Sequence, residues 1–324
     1  PVPTLLRWGE EPACPLVVAS SEPTVRHEAT VSGLPPGSTW WYRVGDGEAI
    51  AVRTRPDAPS RVRFAVVGDT HSTRRVHARI VEEILAEAPD FVVHTGDLSL
   101  RDGRREGGGE EEFFRVEAPL LRSLPFFPAA GNHDGDGERF VELFVEPREA
   151  GRRTHYAERW GPVALVVLDT NEPFDARSDQ GRWLARTLEE LDRDPAATFR
   201  IVAMHWGPYD SGSGHGPNVE ARHSLVPLFE RHGVDVVFSG HDHVYERSSD
   251  GGVRYVMTGG GGGGARKRHV VLGSPYTEAE SSAFHHVLVE ADGRELRLTA
   301  REARSGKLLD ELRIPARKRR PPGA

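Results

Sequence analysis

The sequence has few of the residues that would indicate a disulfide-stabilised, membrane-spanning or nucleic-acid-binding protein. It contains one cysteine, Cys14, which excludes an internal disulfide framework and a thiolate-rich zinc cluster. No apolar run approaches the roughly 20 residues that span a bilayer, so no membrane span is expected. The net charge of the chain is −7, so no nucleic acid is expected as a partner. Only three of the 42 Lys and Arg residues are lysine, a ratio that indicates a coding bias. The length of 324 residues predicts about two domains.

Residues 1–57 have the short β-forming runs and turns of a small all-β domain. The stretches TLLRW, PLVVAS, HEATVSGL, TWWYRVG and AIAVRTR predict strands, and PPGS predicts a turn. The segment GLPPGSTWWYRVGDG resembles the last strands of a fibronectin type III sandwich, although a complete one has about 100 residues. We therefore expect a short fibronectin-like domain over residues 1–57.

Beyond residue 57 the sequence alternates between apolar strands and amphipathic helices. The predicted strands include RVRFAVV, DFVVH, VALVVL, TFRIVAM and VDVVF, with helical segments between them. The later stretch from FHHVLVE to LLDELRI contains DG and SG turns, which are typical of antiparallel hairpins. The pattern predicts a layered α/β domain with mixed sheets over residues 58–315, followed by a basic flexible tail at 316–324.

Polar side chains recur at the points where the predicted strands end. One strand is followed by GDTH, the next by GD, and later ones by GNHD, by the histidine of MHWGP and by GHDH. Each segment alone is typical of a turn. Ligands bind at the carboxyl ends of strands in open α/β sheets, so five such ends in order indicate one site. Its candidate residues are Asp69, His71, Asp97, Asn132, His133, Asp134, His205, His241 and His243.

This set of side chains suits two metal ions. Carboxylate oxygen and imidazole nitrogen bind hard and borderline metals such as Fe, Mn or Zn, and no thiolate competes. Two ions about 3.5–4 Å apart can clamp the attacking and leaving oxygens of a phosphoryl displacement, and they lower the pKa of bound water to about 7. We therefore predict phosphoester hydrolysis by a metal-activated hydroxide, without a covalent enzyme intermediate.

The ordered set GDTH, GD, GNHD, H and GHDH resembles the calcineurin-like metallophosphoesterase superfamily. The segments MHWGPYDSGSGH, VDVVFSGHDHVYERS, RYVMTGG and LDT…DQGRWL are similar to its purple acid phosphatase branch, which also carries an N-terminal fibronectin-like domain. The resemblance implies a four-layer α/β/β/α sandwich of mixed sheets, with two metal ions between the sheets.

The resemblance also implies a division of the ligands between the two ions. The ligands of one metal would be Asp69, His71 and His243. Those of the other would be Asn132, His205 and His241. Asp97 would bridge the two ions.

Three further residues are expected beside the metals. His133 would contact phosphate or protonate the leaving alkoxide, with Asp134 as a candidate to orient it. His215 corresponds to a second outer histidine of the phosphatase branch. A structural hydrogen bond for His133 and a solvated position for His215 are the alternatives.

One position departs from the phosphatase branch. A tyrosine three residues after the bridging aspartate binds ferric iron there and produces the colour, whereas this chain has Leu100. His71, in turn, supplies an imidazole where that branch usually has no ligand. The predicted ligands therefore do not require ferric iron, and we expect a colourless or weakly coloured protein.

Six consecutive glycines, Gly259–Gly264, follow the apolar strand VRYVM. A flexible linker is the usual interpretation of such a run. Its place directly after a strand favours a turn beside the strand ends, where backbone segments pass closely.

The predicted activity is hydrolysis of a small phosphorylated substrate, and the phosphatase-like segments favour a phosphomonoester. A phosphodiesterase, acting on cyclic nucleotides or other diesters, is the main alternative because it shares the Asp-x-His first motif. A nuclease would need a basic groove, which the acidic balance does not supply, and the complete ligand set disfavours a non-catalytic binding module. The resemblance to the purple acid phosphatase branch favours a secreted or periplasmic location. The sequence leaves the oligomeric state open.

Overall fold

The structure, a computed structural model, describes residues 2–24, 27–57, 60–99, 113–134, 137–144, 154–211, 214–264 and 275–317. The strands are β1 (Val2–Gly9), β2 (Leu16–Thr24), β3 (Thr39–Val44), β4 (Ile50–Arg53), β5 (Val62–Val67), β6 (Phe91–His94), β7 (Phe126–Pro128), β8 (Tyr156–Trp160), β9 (Val163–Val167), β10 (Phe199–Ala203), β11 (Val236–Ser239), β12 (Tyr245–Asp250), β13 (Val253–Thr258), β14 (Thr277–Ser281), β15 (His285–Ala291), β16 (Glu295–Glu302) and β17 (Leu308–Pro315). The helices are α1 (Arg74–Glu87), α2 (Arg115–Ser123), α3 (Gly137–Phe144), α4 (Asp179–Arg193), α5 (Val219–Ser224) and α6 (Val226–Arg231).

Two mixed sheets form the larger part of the molecule. One sheet has the strand order β17-β16-β15-β5-β6-β7, in which β5, β6 and β7 are parallel and the other strands antiparallel. The other has the order β14-β12-β13-β11-β10-β9-β8, with a parallel centre from β13 to β9. The predicted mixed sheets are therefore confirmed.

The apolar side chains divide the larger part into four layers. Alternate residues of β5 face opposite ways: Phe64 lies in a core between the two sheets, and Ala65 lies in a second core that includes Ile80 and Ile84 of α1. A third core lies between the other sheet and α4 to α6, and it includes Leu184 and Phe229. Strands covered on both faces are continuously apolar, which explains runs such as VVFS in β11. This order of layers is the predicted α/β/β/α sandwich.

The N-terminal strands form a separate antiparallel sheet in the order β2-β1-β3-β4. The predicted strand HEATVSGL is not formed, because residues 27–34 have neither helical nor strand conformation. The sheet contacts the larger part through the hydroxyl of Tyr42, which donates to the carbonyl of Arg122 at 2.6 Å, and through an ion pair of Arg53 with Asp90 at 2.9 Å. The fibronectin-like character of residues 1–57 stays a prediction.

The start of the predicted flexible tail is attached to the body of the protein. The backbone N–H of Ala316 donates to the carbonyl of Arg294 at 2.7 Å, and Arg317 pairs with the buried Asp235 at 3.1 Å. Residues 318–324 lie outside the described residues. In the described part of the chain, every helix is too short or too polar to span a bilayer.

Candidate metal centre

The candidate site lies at the carboxyl ends of strands from both mixed sheets. Asp69 and Asp97 follow the parallel strands β5 and β6, while His205 and His241 follow β10 and β11 of the facing sheet. Asp69, Asp97 and His241 have φ values of 55°, 56° and 76°, in the left-handed region that non-glycine residues rarely adopt. Such strain is concentrated at functional sites, where the surrounding structure enforces it.

One group of candidate ligands consists of Asp69, His71 and His243. One ligand atom of each lies within 4.8 Å of the others, and Oδ1 of Asp69 is 3.6 Å from Nε2 of His243. Among the described residues, Nε2 of His71 is buried without a hydrogen-bond partner. The structure thus brings together the three side chains that the resemblance assigns to one metal.

The second group consists of Asp97, His205 and His241, whose ligand atoms also lie within 4.8 Å of one another. Nε2 of His205 is 3.0 Å from Oδ1 of Asn132 and 3.2 Å from Nδ1 of His241. The sequence-predicted set for the second metal is thus brought together in the structure.

Asp97 lies between the two groups. Its Oδ2 is 3.4 Å from Nε2 of His205 in one group and 4.0 Å from Nε2 of His71 in the other. Its Oδ1 accepts a hydrogen bond from the backbone N–H of His133 at 2.9 Å. A carboxylate in this position can reach a cation in either group.

The second ring nitrogen of two candidate ligands is already bonded to the protein. Nδ1 of His205 lies 2.8 Å from the carbonyl of Thr95, and Nδ1 of His243 lies 3.1 Å from the carbonyl of Gly264. Because a carbonyl only accepts, each Nδ1 carries a hydrogen, and Nε2 is the ring nitrogen that lies beside the other candidate ligands. Metal-binding histidines in proteins are held in this way, so the arrangement fits a metal.

The electrostatics of the site also fit cations. Burial and the nearby His243 lower the pKa of His71 to about 4, and burial and His205 lower the pKa of His241 to about 3. Both imidazoles are therefore neutral at pH 7, the form that binds metals. Burial opposes a charge on His205, yet the carboxylate of Asp97 outweighs it and raises the pKa of His205 to about 10. The carboxylates of Asp97 and Asp69 thus favour a positive charge beside His205.

The six-glycine run is packed against the first group and is not a linker. The N–H of Gly261 donates to the carbonyl of Gly68 at 2.9 Å, and that of Gly263 donates to the carbonyl of Asp69 at 2.6 Å. A Cβ atom on Gly263 would lie 2.7–2.8 Å from ring atoms of His243, closer than real contacts allow. The run is the predicted turn, and its lack of side chains makes room for the histidine.

His133 and His215 lie at the exposed edge of the site. The side chain of His133 is 43 % exposed, and its Nε2 lies 3.9 Å from Oδ2 of Asp97. The ring of His215 lies 4.2 Å from the ring of His241, measured between centroids. Both imidazoles therefore border the ligand groups without belonging to them.

Asp134 does not make the predicted contact with His133. Its carboxylate accepts hydrogen bonds from the backbone N–H groups of Asp97, Leu98 and Gly131, at 2.8–2.9 Å. Among the described residues it forms no hydrogen bond with the His133 ring, because these three donors from the two ligand-bearing turns occupy its oxygens. Burial raises the pKa of Asp134 to about 7, with the nearby Asp97 adding to the effect. Asp134 thus joins the turn of Asp97 to the turn of Asn132.

Two further residues support the site: Asn171 was not identified from the sequence, and Trp206, next to His205, was expected either to wall the pocket or to pack in the core. Nδ2 of Asn171 donates to the carbonyls of Ala130 and Gly131 at 3.3 Å, which holds the turn before Asn132. Trp206 is 37 % exposed, and its ring centroid lies 5.0 Å from that of His241. The only sequence signals were their positions next to strand ends, which many structural residues share.

Comparison with known families and sequences places this geometry in context. The family described as calcineurin-like phosphoesterase matches residues 62–245, which contain all the candidate ligands. Purple acid phosphatase 22 of Arabidopsis thaliana is 29% identical over 235 residues, which cover 68% of this chain and 53% of that protein. Purple acid phosphatase 1 of Ipomoea batatas is 28% identical and covers similar shares, 68% and 51%. The chain spans about half the length of the curated relatives it matches.

Solved structures share the fold. The purple acid phosphatase PPD1 from yellow lupin (Lupinus luteus) seeds superposes with a TM-score of 0.81 at 19% identity, covering 98% of this chain and 70% of that one. GAP50 of Plasmodium, whose structure is described as an anchor in the inner membrane complex, superposes with a TM-score of 0.68 at 18% identity, covering 81% and 90%. At these identities the likeness concerns the fold alone.

Proposed function

The chain belongs to the calcineurin-like phosphoesterase family, and we propose that it is a metal-dependent phosphomonoesterase that acts on small phosphorylated substrates. The observation that carries the proposal is the pair of three-residue ligand groups, in which Asp97 of the second group also lies 4.0 Å from His71 of the first. The similarity to purple acid phosphatases favours phosphomonoesters over diesters.

We assign two metal ions to the site. Asp69, His71 and His243 would hold one ion. Asn132, His205 and His241 would hold the other, and Asp97 would be a ligand within reach of both. When bound, such a pair supplies Lewis acidity toward the phosphoryl oxygens and a nucleophile from water near neutral pH.

The other residues bind and orient the substrate. His133 lies at the exposed edge with its Nε2 3.9 Å from Oδ2 of Asp97, and it can donate a proton from that atom to the departing alkoxide. Asp134 maintains the spacing of the turns that carry Asp97 and Asn132. Trp206 covers one side of His241 and limits the access of water from that direction.

The substrate class is tested by comparing a monoester with a diester. The metal-loaded protein is expected to hydrolyse p-nitrophenyl phosphate with a kcat/KM at least about tenfold above that for bis(p-nitrophenyl) phosphate, equal to about 1.4 kcal/mol in the transition state. Chelation should remove both activities, and elemental analysis should find two metal equivalents. Two equivalents with a preference for the diester would instead support the phosphodiesterase alternative.

The metals are Fe, Mn or Zn, and we propose that an iron-loaded form lacks strong colour. The resemblance to purple acid phosphatases places Leu100, which lies outside the described residues, where those enzymes have the tyrosine bound to ferric iron. An absorption spectrum of the protein loaded with ferric iron should show no intense visible band, whereas iron-loaded Leu100→Tyr is expected to develop one. An intense band in the unmodified protein would contradict the assignment.

We further propose that residues 1–57 are a shortened fibronectin-like domain and that the protein is exported. The first proposal is supported by the antiparallel sheet that these residues form, and the second by the resemblance to the phosphatase branch alone. The net charge of −7 disfavours a nucleic-acid substrate, because a nuclease gains most of its affinity from positive charge.

A further inference from the structure

The middle residue of the GHDH motif, Asp242, has a role of its own. The flanking residues His241 and His243 contribute to different ligand groups. Asp242 belongs to neither group, and only 1 % of its surface is exposed. A buried carboxylate needs hydrogen-bond donors, so its partners indicate what it does.

Two of those partners belong to His215. Oδ1 of Asp242 lies 2.9 Å from Nδ1 of the His215 ring. The backbone N–H of His215 also faces the carboxylate, at 3.3 Å from Oδ1 and 3.2 Å from Oδ2. Because a carboxylate only accepts, Nδ1 carries the hydrogen, and Nε2 is the ring nitrogen available to a ligand.

The His215 ring lies beside the candidate metal ligand His241. It is tilted by 34° against the ring of His241 at a centroid distance of 4.2 Å. Its side chain is 39 % exposed, so it borders the mouth of the site and is not part of the core. Rotation of the ring about its Cβ bond would move Nε2 away, and Asp242 opposes that rotation.

The loop that carries His215 is fixed independently at other points. Glu246 accepts hydrogen bonds from the backbone N–H and the hydroxyl of Ser211. Nε1 of Trp206 donates to the carbonyl of Gly216 at 2.9 Å. Since these contacts hold the backbone on both sides, the contact of Asp242 with the ring acts on the orientation of the imidazole.

We propose that Asp242 is a positioning residue that holds His215 with Nε2 directed at the phosphate of the bound substrate. The proposal rests on the proposed function for the identity of the ligand, but the orientation of the ring does not depend on turnover. The step that Asp242 assists is non-covalent: Nε2 of His215 forms a hydrogen bond with a phosphoryl or leaving-group oxygen.

The orientation is tested first by NMR of histidine-¹⁵N-labelled protein. In the metal-loaded wild type, His215 should show the tautomer protonated at Nδ1, and in Asp242→Ala the preference should be lost. Asp242→Asn keeps an oxygen acceptor at this place, so it should retain the wild-type tautomer. The same His215 spectrum in wild type and Asp242→Ala would overturn the proposal, whether or not the protein is a phosphatase.

The effect on the ligand is tested with a double-mutant cycle. Inorganic phosphate binding to the metal-loaded proteins and kcat/KM for a phosphomonoester are measured for Asp242→Ala, His215→Ala and the double variant. Each single substitution is expected to weaken both quantities about 10–100-fold, as loss of an orienting partner does, and the double variant should be no worse than His215→Ala. Equal losses from Asp242→Ala in the presence and absence of His215 would overturn the proposal.

Two controls separate positioning from structural damage. The metal content of Asp242→Ala should stay at that of the wild type, since loss of a metal would mean that the residue acts through His241 or His243. Asp192→Ala removes a carboxylate that is likewise bonded to a histidine, His232, at 2.7 Å but lies away from the site. Its kcat/KM per folded molecule should be unchanged. If no variant and no wild-type protein hydrolyses a monoester, the proposed function fails while the phosphate and NMR results still decide the role of Asp242.

Discussion

Asp97→Asn is expected to lower kcat for phosphomonoester hydrolysis by about 10³-fold, with loss of at least one metal equivalent. Oδ2 of Asp97 faces His205 and His71, one in each ligand group, at 3.4 and 4.0 Å. An asparagine replaces one of the two oxygens with an amide that cannot bind a cation, and it removes the negative charge between the two ions. Burial alone would raise the pKa of Asp97, but His205 and hydrogen bonds outweigh it, so the pKa lies well below its usual range. The wild-type residue is therefore a charged ligand throughout the working pH range.

The measurement needs a control for the burial of an amide in place of a carboxylate. Asp235 is equally buried and accepts the backbone N–H of Arg200 at 2.8 Å, far from the candidate ligands. Asp235→Asn should therefore keep the wild-type metal content and kcat, even where it lowers thermal stability. Full turnover in Asp97→Asn, with elemental analysis showing both metals, would contradict the dinuclear site.

Gly263→Ala is expected to displace His243 and to reduce the affinity of the first metal site by about 10–100-fold. The added methyl group would lie 2.7–2.8 Å from three atoms of the imidazole ring. The ring cannot move away without leaving Asp69 and the carbonyl of Gly264, which hold its Nε2 and Nδ1. Overpacking of this kind also destabilises a protein by about 1–3 kcal/mol.

The neighbouring residue supplies a matched control. A methyl group on Gly264 would meet none of the described residues within 4 Å, and the carbonyl of Gly264 still accepts from His243. Gly264→Ala should therefore keep both metals by elemental analysis and retain its phosphatase activity. Equal metal content in Gly263→Ala and Gly264→Ala would show that the glycine run does not restrict His243.

The fold and the two ligand groups follow closely from the sequence. Strand ends meet at one edge of a parallel sheet, so polar residues after successive apolar runs could be assigned to one site before their distances were known. The four-layer order and the division of His241 and His243 between two ions were implied by the resemblance to the calcineurin-like metallophosphoesterases. Local sequence and the general geometry of α/β domains alone supported one shared site at the strand ends.

The supporting contacts were less predictable because they join segments far apart in the chain. Asp134 was expected to orient its neighbour His133, but it accepts backbone hydrogens from Asp97 and Leu98 instead. The sequence assigned no role to Asp242, and its bond with His215 depends on the path of a glycine- and serine-rich loop. Sequence periodicity predicts neither of these contacts, so only the assembled structure shows which donors reach the carboxylates of Asp134 and Asp242.

The left-handed backbone of Asp69, Asp97 and His241 links the chemistry of the site to the energetics of folding. Each such residue costs about 1–3 kcal/mol, which the rest of the fold must offset. A ligand that binds only the native state returns free energy in proportion to the logarithm of its concentration. The melting temperature should therefore follow the supply of free metal, and starvation for metal would leave a chain that is not merely inactive but more easily unfolded and degraded.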